Sequence, residues 1–233
     1  MTGWSDVITA AMQVIDDERW RHEARINPAQ FYRAKSQTVI FALPLLSKPP
    51  ELLSFLQSKM ENPSYADYEY VSTEHKPEGE TITVATGITG YELCSVCQRS
   101  ADGTYLIPQK NVQYQQENGT VTFTVYGQET DDYTIDFYKD GQFPTMTATQ
   151  IRLMALAISV TWDERFQRDY LSNTMKINDQ SFQHVNESNY MDKTNARFIA
   201  NKLAFEEELR DYEQKCAYYA TVKKRMGHST HLI

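Results

Sequence analysis

Nine glycines and three cysteines in 233 residues are few, and each shortage removes a class of protein. A disulfide-framed secreted domain needs a dense, even set of cysteines, so this chain reads as one for a reducing compartment. So little glycine leaves scant material for phosphate cradles or mobile substrate loops, and no Gly-x-Ser-x-Gly, glycine-rich phosphate loop or His-Glu-x-x-His is present. Neither an enzyme nor a cofactor is expected. The longest apolar run, "TVIFALPLL", is far short of the roughly 20 residues that cross a bilayer. The amino-terminal "MTGWSDVITAAMQVIDDERW" lacks a basic leader region. A cytosolic, soluble protein without membrane contact is expected.

What is present is unevenly charged. Residues 1–60 hold 7 Lys/Arg and 6 Asp/Glu, residues 145–233 hold 12 and 11, and residues 61–144 hold 4 against 14. The middle of the chain therefore carries the whole imbalance. It is also where the hydrophobic period changes, and three regions follow: amino-terminal helices (1–60), an acidic β-rich insertion (61–144), and carboxyl-terminal helices (145–233) packing with the first. The fold class expected is α+β, mainly helical, with a long terminal helix and an inserted antiparallel β module.

Residues 5–20 read as one helix, with Ser5 as its cap and Val7, Ile8, Ala11, Met12, Val14 and Ile15 at helical spacing. Asn27 before Pro28 starts a second helix that Pro44 kinks or ends, and "PPELLSFLQSKM" starts a third. "ENPSYADYEYVSTEHKPEGE" has no helical period and reads as a linker or crossing loop. From residue 81 the period is two: "TITVAT", "YELCSVCQ", "TYLIP", "TVTFTVY" and "DYTIDFY" are separated by turn signals and predict four to six antiparallel strands. Alternation of Val121, Phe123 and Val125 with threonines gives one buried face.

Thr147-x-x-Gln150 is a capping box in front of the mostly buried helix "ATQIRLMALAISVTWDERFQRDYLSN". After "KINDQSFQHVNES" there is no proline or glycine from Asn189 to Met226, and Gly227 is the natural stop. A helix over 190–226 would be roughly 55 Å long, against a radius of gyration of about 17 to 18 Å for a compact chain of this size. Such a rod must protrude or pack on another subunit. Phe198, Leu203, Phe205, Leu209, Tyr212, Cys216 and Tyr219 form its expected packing face, opposite Glu206, Glu207 and Glu208.

Cys94 and Cys97 have the spacing of zinc knuckles and thiol redox centres. In a strand, residues three apart point to opposite faces, no knuckle glycine separates them, and neither His75 nor His184 completes a ligand set. Both read as ordinary strand residues, and no metal site is assigned. His228 and His231 fall in a terminal tail. Asp163-Glu164 and the Glu206 run, beside Arg165, Arg168 and Arg210, read as solvated faces or ion pairs between helices. Fifteen tyrosines, several of them clustered, suit interfaces that are wet at the edge. Lys223, Lys224 and Arg225 are a helix-end trio rather than a nucleic-acid surface. The acidic β module suits a wall past which DNA slides without sticking.

With "MTATQIRLMALAISVTWDERFQRDYL", the long "NARFIANKLAFEEELRDYEQKCAYYATVKKRM" and the β insertion over 81–143, the layout resembles the head-to-tail connector (adaptor or neck) proteins of tailed bacteriophages. The resemblance implies a non-enzymatic virion protein assembled in the host cytoplasm. It would form a homo-oligomeric ring, a dodecamer, beneath the portal, with tail or further neck proteins as other partners and DNA passing through unbound. It implies inter-subunit contacts at Tyr212, Tyr218, Tyr219, Lys223, Lys224 and Arg225. The alternatives are a phage tail or baseplate component, a metal or redox accessory protein centred on Cys94 and Cys97, and an acidic DNA mimic.

Overall fold

The computed structural model describes residues 1–15, 17–127, 130–176 and 184–229, without the side chains of 166–176, 184–194 and 224–229. The elements run β1 (Thr2–Gly3), α1 (Trp4–Ile15), α2 (Glu18–Ile26), α3 (Pro28–Ala42), a 3-10 turn (Leu43–Leu46), α4 (Pro50–Ser58) and β2 (Ser64–Val71). Then come β3 (Thr81–Ala85), β4 (Glu92–Arg99), β5 (Leu106–Pro108), β6 (Lys110–Gln115), β7 (Thr120–Thr124) and β8 (Asp132–Lys139). The chain closes with β9 (Gln142–Phe143), α5 (Ala148–Lys176) and α6 (His184–Ser229). The α+β class and the long terminal helix stand as expected. Two compact units result: residues 1–16, 37–60 and 143–233 form the first, and residues 17–36 and 61–142 the second.

The first unit is built around α5. Residues 153–158 of that helix are buried on every side, which an all-round apolar run requires. α1 buries Trp4, Val7, Ile8, Ala11 and Ile15 in packing against it, and Trp4 stacks on Phe143 with centroids 5.2 Å apart. The capping box forms: Gln150 Oε1 accepts from the Thr147 amide at 2.8 Å, and Thr147 Oγ1 accepts from the Gln150 amide at 3.3 Å. The single helix expected over 5–20 is instead two. α1 starts at Trp4, placing Ser5 inside its first turn, and the Gly3 amide donates to Asp6. α2 starts behind Asp17, whose carboxylate accepts from the Arg19 amide.

α6 is unbroken over 46 residues, about 69 Å at 1.5 Å per residue. It begins earlier than the sequence reading, within "HVNES", and runs through Gly227, which does not stop it. Its side-chain partners on α5 descend in number as its own rise. Arg197 meets Asp163, Asn201 meets Ser159, Glu208 meets Arg152 and Tyr212 meets Gln150. The two helices are therefore an antiparallel pair.

The second unit is a β-sandwich. A four-stranded sheet ordered β2-β8-β4-β5 faces a three-stranded sheet ordered β3-β7-β6, every pairing antiparallel. Val96, Tyr133, Ile135 and Phe137 from one sheet and Ile82, Val84, Val121, Phe123 and Val125 from the other fill the space between them. The stretch read as a linker contains an eight-residue edge strand, β2, in full register with β8. The first part of α3 lies on the outer face of the larger sheet, and α2 packs on α3 through Trp20 and Phe31. On that sheet face Ala29 packs on Cys94 and Tyr138, Ser36 Oγ lies 2.7 Å from the Tyr65 hydroxyl, and Arg33 pairs with Asp67 and Asp136.

Candidate interaction surface

The antiparallel pair leaves one end uncovered. Gln150 Nε2 donates to the Tyr212 hydroxyl at 3.0 Å, and α5 begins two residues before Gln150, at Ala148. α6 continues to Ser229, so residues 213–229 run on for about 25 Å beyond the helix that covers the preceding turns. Cys216 and Val222 are half-buried, whereas residues 217–221 and Lys223 are exposed. Tyr218 and Tyr219 are 66% and 69% exposed and lie edge to face, 5.8 Å between centroids. At the root of the overhang a groove of about 300 Å³ is lined by Ala148, Thr149, Arg152, Glu208, Asp211, Tyr212 and Lys215.

The residues singled out from the sequence therefore separate. Tyr212 belongs to the seam between α5 and α6, and burial raises its hydroxyl pKa. Tyr218, Tyr219 and Lys223 stand on the overhang; positions 224 and 225 lie in the same helix, with side chains outside the described residues. Leu203 and Tyr219, placed with the packing face by sequence, are exposed, at 61% and 69%. The side chains that do turn inward on α6 include Arg197, Asn201, Ala204, Phe205 and Leu209.

Arg197 is the residue that sequence reasoning missed. Its guanidinium makes two hydrogen bonds to Asp163, which is fully buried, and donates to the Ile15 carbonyl at 2.7 Å. It thereby closes the carboxyl end of α1 against α5 and α6 and sets a positive charge against a carboxylate buried in the core. The sequence offered nearer arginines, and only the antiparallel register of the helices selects this one. Of the glutamate run, Glu208 pairs with Arg152, while Glu206 and Glu207 are exposed.

Cys94 and Cys97 depart from the opposite-face expectation for a local reason. The register of β4 against β8 shifts between Leu93 and Ser95, so Cys94 sits in a bulge. It is turned onto the outer face beside Tyr138 and Ala29. Asp136 consequently neighbours both thiols. The chemistry this permits is inert. Burial pushes the Cys94 thiol up to about 11, outweighing the nearby Arg33, and burial also raises Cys97. Both are free thiols, and no group of three potential metal ligands exists among the described residues. His75 pairs with Asp131 at an exposed loop. His228 lies in the last turn of α6 rather than in a loose tail, and His231 falls outside the described residues.

Charge follows the two units. The second holds 9 Lys/Arg against 17 Asp/Glu, and the first 14 of each. No helix among the described residues is long and apolar enough to cross a membrane. No protein-family model, curated protein or solved structure matches the chain.

Proposed function

We propose that this chain is a non-enzymatic structural protein of a tailed-phage virion, assembling as a homo-oligomeric ring between portal and tail and lining part of the DNA conduit. The observation that carries the reading is the overhang of α6. A helical end of about five turns with two exposed tyrosines is an element whose apolar surface is satisfied by another chain, and a cyclic arrangement of copies supplies one at every position. The confinement of net negative charge to the β unit supports the conduit role. An acidic wall gives phosphate no counterion-release affinity, so DNA passes without adhering. The inert thiols weigh against the redox alternative. The ring's other partners are the portal on one side and tail or neck proteins on the other, with the virion as its location.

The test is electron microscopy of the purified chain mixed with purified portal rings of the same particle. A second ring stacked coaxially on the portal is expected. A chain that leaves the portal bare while remaining folded would overturn the assignment.

A further inference from the structure

The strands β2, β5, β3 and β6 end the two sheets of the second unit, and all but β2 carry features that discourage a further strand. β5 is three residues long and holds Pro108. β6 has a register shift and turns through Asn111 at a φ of 49°. β3 is only five residues long. β2 has none of these features: its eight residues include no proline and no lysine and stay in register with β8 throughout. No other strand or helix among the described residues runs along its free edge. A long, straight edge presents a row of unpaired amides and carbonyls that another strand can use.

The chemistry along that edge selects its occupant. Residues 61–74 hold four acids and no base. Asp67 and Glu69 stand on the outer face of β2. Arg33 and Arg99 reach them at 3.2 and 3.5 Å, yet their side chains remain 57% and 78% exposed. On the inner face Ala66, Tyr68 and Tyr70 are half-buried at the rim of the sandwich core. Paired strands set residues of the same face side by side, so a further strand brings its outward residues to these acids and its inward ones to the tyrosines. A second copy of β2 is excluded by like charge. In the antiparallel registers that pair most of the strand, Asp67 falls opposite Asp67 or Glu69 of the other copy, and in-register parallel pairing sets each acid beside itself. No other segment of this chain serves, because outside the helices no two Lys/Arg are spaced two apart.

We propose that β2 is a docking edge for an extended segment of another protein, one that carries Lys or Arg at alternate positions with apolar residues between them. The segment adds a strand beyond β2. Its backbone takes up the unpaired amides and carbonyls, its basic side chains lie beside Asp67 and Glu69, and its apolar side chains close the rim over Tyr68 and Tyr70. The acids then have two effects: they keep copies of this chain from pairing edge to edge, and they select a basic partner. The contact belongs to the β unit and does not depend on the ring reading.

The experiment titrates full-length protein into fluorescein-labelled synthetic peptides of the length of β2 and reads fluorescence anisotropy. A peptide alternating Lys with Val is expected to bind about tenfold or more tightly than the isomer of equal charge whose lysines are grouped at one end. Two N-methylated forms test strand addition. In an extended peptide the amides of the lysines point to one edge and those of the valines to the other, so methylating one set removes the bonds to β2 and methylating the other leaves them. One form is expected to lose about tenfold or more in affinity and the other to stay within about threefold of the parent. No binding of the alternating peptide, or equal affinities of the two methylated forms, overturns the proposal. Asp67→Lys with Glu69→Lys is expected to weaken binding of the lysine peptide by about tenfold or more and to take up its glutamate counterpart. Undiminished binding of the lysine peptide by that variant would overturn the assignment to β2; if the variant does not fold, the methylated pair still decides. Protection of β2 amides from hydrogen exchange in the peptide-free protein, growing with protein concentration, would overturn the proposal in favour of pairing between copies.

Discussion

Asp163 and Arg197 show how one pair of residues holds three helices. Asp163 is fully buried and Arg197 pairs with it, so removing the arginine takes two charge-assisted hydrogen bonds from a carboxylate in the core. Arg197→Ala is expected to lower unfolding free energy by about 3 to 5 kcal/mol, the usual cost of breaking a buried pair, measured by urea denaturation. A loss below about 1 kcal/mol would place the pair in water. At Cys94 the direction of the pKa shift fixes a pH window. The folded thiol titrates at about 11 against an ordinary 9.0, so the protonated native form binds its proton more tightly than the unfolded chain does. Its stabilising contribution is complete below pH about 9 and is lost as pH rises towards about 11. The fall in urea midpoint across that window should be shallower in Cys94→Ala than in the unmodified chain. In the native protein near neutral pH, Cys94 should also resist thiol reagents until the protein unfolds; rapid native labelling would contradict its burial.

The elements best foreshadowed by the sequence are those whose signal is local. Asn27-Pro28 starts α3, the Thr147 and Gln150 capping box starts α5, and the alternation of Val121, Phe123 and Val125 builds a sandwich face, because each depends on near neighbours in the chain. β2 was illegible for a physical reason. It is an edge strand whose outward residues are Tyr65, Asp67, Glu69 and Val71 and whose inward ones, Ala66, Tyr68 and Tyr70, are only half-buried. The hydrophobic contrast that marks a central strand is therefore missing. The break between α1 and α2 carries no proline or glycine to mark it, and Trp20, which lies off the apolar stripe of α1, packs within the other unit, edge to face with Phe31. In α6 the sequence gives the length but not which turns α5 covers. Proline separates the two parts: Ala204→Pro, in the seam, should lower stability by at least about 3 kcal/mol. Ala217→Pro, in the overhang, should leave the unfolding midpoint nearly unchanged while abolishing assembly. Equal losses of stability at both positions, measured by thermal denaturation, would show that the overhang is covered within its own subunit.

At the scale of the whole molecule, the candidate surface was half legible. Tyr218, Tyr219 and Lys223 stand exposed and Tyr212 turns inward, while Leu203, expected on the packing face of α6, is exposed and Ile199 has no signal in the sequence that sets it apart. Periodicity locates an apolar stripe, but which stripe faces the chain's own helix is set by tertiary register. The molecule that results has a neutral helical unit with an unpaired helical end and a β unit carrying all the net charge. The central claim is that other copies complete that end. Mass photometry of the purified chain over a wide concentration range tests it most directly. A discrete particle of many times 27.0 kDa, closed in electron micrographs, is the result the account predicts. A single 27.0 kDa species persisting at the highest concentration, with residues 213–229 still helical, would contradict it.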